Sequence, residues 1–260
     1  MSEYSFDAAK VADNLIRYIQ EWFEQNGPGC NAVLGISGGK DSKVAAALCA
    51  KALGKERVIG VLLPEGEQPD IADSRAICDF LEIERYEINI KDGVEATYRE
   101  LQKNGLEVSR QTRINTPPRE RTKNIRAVCQ SRNGRMVNTC NFSEDYIGYF
   151  TIGGDGDGDF APLGDLTATE VVEIGRHLGI PLHLVEKAPS DGLCGKTDED
   201  NFGFRYAVLD RYIRTGEIES QEDKEKIDRL HRINAFKLRP RSKFESNLPI
   251  RVDLLNEIMK

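Results

Sequence analysis

The sequence predicts an α/β protein built on a doubly wound, mostly parallel sheet with helices on both faces. Three observations predict it. Short apolar runs alternate with segments of helical period, the order that parallel sheets require. The runs Ala32-Val33-Leu34 and Val58 to Leu63 are continuously apolar, as in strands buried on both faces. A Gly-rich turn follows the first run and opens a helix, and such sheets bind ligands at the carboxyl ends of their strands.

The elements follow in order. Leu15, Ile16, Ile19, Trp22 and Phe23 recur at helical spacing and form the buried stripe of a first helix, which ends near Asn26-Gly27-Pro28-Gly29. A strand at 31–36 leads to a helix from about 41 to 53, with Gly54 as C-cap. The second strand runs from Val58 to Leu63 and stops at Pro64. A helix from about 69 to 81 and a third strand, Tyr86 to Ile90, come next. Further on, the pattern gives a helix at 117–131 and a fourth strand, Arg135 to Thr139. Residues 151–164 are dominated by Gly and Asp and read as a loop. Thr167 is the expected N-cap of a helix reaching Leu178. Residues 186–201 are polar, with Gly192 and Gly195, and form a candidate lid. Helical patterns at 202–214 and 221–235 complete one domain over 1–260 whose C-terminal part, about 202–260, is helical.

The turn reads Gly35-Ile36-Ser37-Gly38-Gly39-Lys40-Asp41-Ser42. A helix start aims backbone N–H groups and the positive end of the dipole at one spot, which favours an anion such as phosphate. Glycines admit close approach, Ser37 and Ser42 add hydroxyls, and Asp41 offers a carboxylate for a metal ion. This is not a Walker A loop, because position 34 is Leu and position 41 is Asp. A simple turn between a core strand and a core helix is the alternative, for which an acid and two hydroxyls are excess.

Composition narrows the function classes. At 260 residues the chain can bury a substantial core, and 39% hydrophobic with 30% charged residues is the balance of a soluble globular protein. No apolar run reaches membrane-spanning length, and Met1 to Asp7 lacks a basic and apolar leader, so the cytoplasm is expected and a membrane is not. A net charge of -7 disfavours general nucleic-acid binding, with Arg110, Arg113, Arg119 and Arg121 the one local basic group. The six cysteines form no C-x-x-C pair, so small buried thiols are the default.

Three later clusters add chemistry: Asn138 to Asp145, Thr151 to Phe160 with three acids among four glycines, and Lys187 to Asp200. The Asp/Gly cluster lacks the spaced acids and terminal Glu of an EF-hand. The Ser-Gly-Gly-x-Asp-Ser string resembles the pyrophosphate loop of N-type ATP pyrophosphatases. With the later clusters in the same order, the chain resembles NAD synthetases over about residues 10 to 240. The resemblance implies a flavodoxin/Rossmann-like sheet, usually in a homodimer. It implies ATP-dependent amidation of deamido-NAD by ammonia through an acyl adenylate, giving NAD, AMP and pyrophosphate, with Mg²⁺.

By position, the resemblance assigns Ser37, Gly38, Gly39, Lys40, Asp41 and Ser42 to the ATP phosphates, with Thr139 and Ser190 also at ATP. Asp41 and Glu144 would hold the metal; Arg119, Asp155, Asp159 and Lys237 would bind deamido-NAD. No nucleophile or general base is assigned. Each residue has a plainer alternative: Arg119 and Lys237 as surface cations, Glu144 as a helix-start acid, Asp155 and Asp159 as loop formers, Thr139 and Ser190 as caps. Two departures stand out. Ile152 and Ala168 occupy positions where many members carry lysine, and Lys187 or Lys196 could compensate for the second. The chain has no room for a glutaminase domain, so free ammonia is the expected nitrogen source. The rivals are another adenylating enzyme such as a tRNA thiolase, or a nucleotide sensor without turnover.

Overall fold

A computed structural model describes residues 4–68, 71–186, 198–239, 242 and 244. The chain begins with α1 (Ala8–Asn26), capped by the Asp7 carboxylate, which accepts from the Lys10 amide at 3.0 Å. Then follow β1 (Asn31–Gly35), α2 (Lys40–Leu53), β2 (Val58–Leu62), α3 (Ile71–Leu81), β3 (Glu84–Glu87) and α4 (Lys91–Lys103). The longest helix, α5 (Arg110–Ser131), leads to β4 (Gly134–Met136) and the short α6 (Phe142–Ile147). The remaining helices are α7 (Ala168–His177), α8 (Leu182–Val185), α9 (Asp198–Phe202), α10 (Tyr206–Thr215) and α11 (Gln221–Asn234).

Among the described residues four strands pair in parallel in the order β3-β2-β1-β4. Of the two doubly wound orders, this is the Rossmann one, and it reverses direction beside β1. Strand alternation then sorts the core. Ala32, Leu34 and Ile36 face α1, α2 and α7, whereas Val33, Ile59, Val61 and Met136 face α4 and α5. A third apolar cluster joins Ile147 of α6 and Ala168 of α7 to Tyr206, Leu209 and Ile227 of the C-terminal helices. It seats that helical part against α6 and α7. No helix among the described residues is long and apolar enough to cross a membrane.

Several boundaries differ from the sequence expectation for physical reasons. The third strand starts at Glu84 because it is a charged edge strand, paired through Ile59↔Glu84, with little apolar signal. Helix α4 buries only Val94, so its sequence shows no broad stripe. Helix α5 starts at Arg110, seven residues before the expected 117, and runs through Pro117 and Pro118. Proline cannot donate to the carbonyl four residues back. The Tyr98 hydroxyl of α4 donates to the Arg113 carbonyl at 3.2 Å and satisfies the acceptor that Pro117 leaves open. The expected lid falls largely on 187–197, outside the described residues, as do Ser190, Lys187 and Lys196.

Candidate active site

The first wall is the loop between β1 and α2. Gly38 has φ +82°, a left-handed conformation that a side chain resists, and it lets the chain reverse in two residues. The loop is knitted by its own hydroxyls: Ser42 Oγ accepts from the Ser37 amide at 3.3 Å, and Ser37 Oγ accepts from the Gly39 amide at 3.3 Å. These bonds are long. No side chain caps the N-terminus of α2, so its first amides are available to an anion with the dipole behind them.

The second wall is the turn from β4 into α6. Asn141 and Glu144 form a reciprocal capping box: Asn141 Oδ1 accepts from the Glu144 amide at 3.1 Å, and Glu144 Oε2 accepts from the Asn141 amide at 3.2 Å. Asn141 Nδ2 donates to Asp41 Oδ1 at 3.1 Å and so ties the two walls together. The helix-start reading of Glu144 thus holds for one oxygen only, because the residue also lines the cavity. Burial, and then the Asp41 charge, push its carboxyl well above the usual range. A carboxylate beside a second carboxyl that is reluctant to ionise is a fitting donor set for a hard cation such as Mg²⁺.

Between the walls sits Lys40. Its Nζ lies 2.8 Å from Asp41 Oδ2 and 5.3 Å from the Tyr206 ring centroid, and the residue is 5% exposed. Burial alone would lower its pKa, but the charges of Asp41, Glu144 and Asp198 outweigh that and hold the ammonium above its ordinary value.

The far end of the cavity is made by the Gly/Asp loop, α5 and the C-terminal segment. Asn138 Nδ2 donates to the carbonyls of Asp155 and Asp157 at 3.0 and 3.1 Å. This close approach needs Gly158, where a Cβ would stand 2.6 Å from that of Asn138. Asp155 accepts from the Thr151 amide at 2.8 Å; burial raises its carboxyl, against the pull of that hydrogen bond and of Arg121. Burial, with the neighbouring Asp155 charge, pushes Asp145 up to about 6. Lys237 donates to the carbonyls of Gly148 and Phe150 at 2.6 and 2.8 Å, and its desolvated ammonium is held below its usual pKa.

Together these elements enclose about 910 Å³, at the upper end for ligand cavities. Ser37, Gly38, Gly39, Asp41, Ser42, Thr139, Glu144, Asp155 and Lys237 all line it, so most of the expected residues converge. Three do not behave as expected. Asp159 points away: it accepts from the Met136 amide at 2.7 Å and from Arg126, closing the end of β4. Arg119 holds the Ile152 carbonyl at 3.2 Å and is not on the cavity wall. Lys40 is withdrawn between the two walls rather than exposed on the cavity surface.

Sequence reading missed Arg121, which lines the cavity with Pro118, Thr122 and Ile125. Their spacing of three, four and seven is a helical face, a signal that was available once 117–131 was read as a helix. Asp157, paired in bidentate fashion with Arg126, also lines it. The two lysine departures also have structural consequences. Ile152 is 49% exposed, while Ala168 is 2% exposed and donates its amide to Ser143 Oγ at 3.0 Å, in a space filled by packing. The five described cysteines are buried, and burial pushes Cys49 up to about 12, the opposite of a thiolase nucleophile.

The family model for NAD synthase matches residues 11–249. The NH(3)-dependent NAD(+) synthetase of Thermococcus kodakarensis is 38% identical over 210 residues, 80% of this chain and 81% of that protein. The solved structure of NMN synthetase from Francisella tularensis superposes with TM-score 0.85 at 31% identity, covering 94% of this chain and all of the other. The NH3-dependent NAD synthetase from Campylobacter jejuni gives TM-score 0.76 at 25% identity over 93% of this chain.

Proposed function

The chain belongs to the NAD synthase family, and from that premise we propose that its cavity amidates deamido-NAD with ammonia at the expense of ATP. It is a ligase that forms a C–N bond. The observation that carries this reading is the meeting of Asp41 and Glu144 beside the open amides of α2, with Asp155 at the other end of the same cavity. One end suits a metal-bound triphosphate. The other suits the acid to be activated and the incoming nitrogen.

The amides at the start of α2, with Ser37 and Ser42, hold the phosphates through bonds that replace the loop's own long ones. Thr139 lines the cavity and would contact the nucleotide from the second wall. A Mg²⁺ ion held by Asp41 and Glu144 would neutralise phosphate charge and ease departure of pyrophosphate. Arg121, with Lys237, faces the cavity where an acidic dinucleotide enters. The nicotinate oxygen attacks the α-phosphorus, and ammonia then displaces AMP from the acyl adenylate. Such chemistry depends on positioning and charge rather than on a protein nucleophile. Asp155, on the cavity wall with its carboxyl raised, would hold the incoming ammonium and take up its proton. We further propose a cytoplasmic homodimer acting through one synthetase domain.

The test is product analysis with ATP, Mg²⁺, ammonium and deamido-NAD: AMP and NAD form in equal amounts, whereas ADP would overturn the reading. A second reading is favoured by one observation, the TM-score of 0.85 with an NMN synthetase. It would make nicotinate mononucleotide the acid. Comparing kcat/KM for the mononucleotide and the dinucleotide decides between them.

A further inference from the structure

Lys40 is in a costly place. It opens α2, where a cation faces the positive end of the dipole, and it is withdrawn from water. A surface lysine at a helix start would extend into solvent. Here the chain turns inward, and Nζ sits 2.8 Å from Asp41 Oδ2 with the Tyr206 ring 5.3 Å away.

The consequence falls on Asp41. Oδ2 is taken by Lys40 and Oδ1 by Asn141 Nδ2 at 3.1 Å, so both oxygens are engaged before any ligand arrives. Of the two partners, Asn141 is fixed, because its Oδ1 caps α6 at the Glu144 amide. Lys40 hangs on a flexible stem and can be moved at less cost. Glu144 keeps Oε1 out of the capping box, in which Oε2 takes part.

We propose that Lys40 is an internal counter-cation that occupies Asp41 in the nucleotide-free protein and yields it to a divalent ion when the triphosphate arrives. This rests on Asp41 and Glu144 as the metal carboxylates. A divalent ion alone meets a like charge and an engaged ligand. A divalent ion with ATP brings phosphate oxygens that give the displaced ammonium a new partner. Metal and nucleotide therefore bind with positive coupling, and Lys40 is the element that carries it. The pairing also spares the free protein an uncompensated, half-buried carboxylate.

The experiment measures Mn²⁺ binding by electron paramagnetic resonance, with and without α,β-methylene-ATP, for the unmodified protein, Lys40→Met and Lys40→Arg. Without nucleotide, Lys40→Met should bind Mn²⁺ about tenfold more tightly than the unmodified protein, the scale of removing an adjacent like charge. Its gain on adding the analogue should shrink, and Lys40→Arg should resemble the unmodified protein. Equal or weaker Mn²⁺ binding by Lys40→Met overturns the proposal while leaving the metal reading in place. Absence of Mn²⁺ binding by the unmodified protein with the analogue overturns both. If circular dichroism shows Lys40→Met unfolded, the unmodified protein decides. The ¹⁵N ammonium resonance of Lys40, identified by its loss in Lys40→Arg, must move when Mg²⁺ and the analogue are added together. An unmoved resonance overturns the proposal.

Discussion

The two ends of the cavity are built by different means. The phosphate end is made by backbone: two helix starts, at α2 and α6, aim amides and capping groups inward, and Asn141 joins them. The opposite end is made by side chains from three distant segments, with Arg121 on α5, Asp155 in the Gly/Asp loop and Lys237 beyond α11. A backbone site is local in sequence and rigid. A side-chain site depends on packing among segments far apart. The phosphate end should therefore fail abruptly when its charges are removed, and the far end by degrees.

The largest effect is expected at the phosphate end. Asp41→Ala and Glu144→Ala should each lower kcat at least ~100-fold, the scale of one preorganised electrostatic element, while circular dichroism stays unchanged. Near-normal turnover in both variants would place the metal elsewhere and dissolve the contrast between the ends.

A smaller effect is expected at the far end, and it separates two neighbouring arginines. Arg121→Ala should raise KM for the nicotinate substrate about tenfold, as for a charge-assisted contact, with KM for ATP little changed. Arg119→Ala removes only a bond to the Ile152 carbonyl and should have a several-fold smaller effect. Steady-state kinetics with each substrate varied in turn measures both, and equal losses would return Arg119 to the site.

That pair also shows how much could be read from sequence. The loop at 37–42 was legible because its chemistry is contiguous and its context, strand then helix, was itself legible. Glu144 and Thr139 came from the resemblance, and both line the cavity. Arg119 and Asp159 were drawn to the site by resemblance, yet helix phase turns Arg119 away, and Asp159 spends its oxygens on Met136 and Arg126. Neither outcome can be seen without knowing that α5 begins at Arg110 and that 159–160 runs beside β4, as the Val137↔Phe160 bridge shows. Lys40 was placed at ATP by the resemblance of its loop. Its inward turn depends on Tyr206 and Asp198, more than 150 positions later.

Asp145, next to Glu144 in the chain, offers a test by pH. Burial, and then Asp155, raise its folded-state carboxyl to about 6 from an ordinary 3.8. The folded state therefore holds its proton more tightly than the unfolded one, and stability falls as pH rises through that window. The charged form costs stability in full above about pH 6 and not at all well below pH 4. Asp145→Asn should thus stabilise the protein by about 1–2 kcal/mol at pH 7.5, allowing for solvent screening of a partly exposed group. Urea midpoints at pH 7.5 and pH 4 check this, and an equal gain at both would assign it to packing instead.

The smallest effect concerns how α5 keeps Arg121 in place. Pro117 leaves the Arg113 carbonyl without its helical donor, and the Tyr98 hydroxyl fills that position at 3.2 Å. Tyr98→Phe removes the hydroxyl and keeps the ring, over which Arg113 lies 5.4 Å from the centroid. The carbonyl is near the surface and water can reach it, so the loss should be only about 0.5–1 kcal/mol in urea unfolding. Its functional trace is more telling. A turn of α5 that relaxes at Arg113 lies two turns before Arg121, on the same helix. KM for the nicotinate substrate should rise by roughly twofold, within the reach of such a small free energy, while KM for ATP stays fixed. A change in both constants would mean that the two ends are not independent, and that α5 carries strain from one to the other.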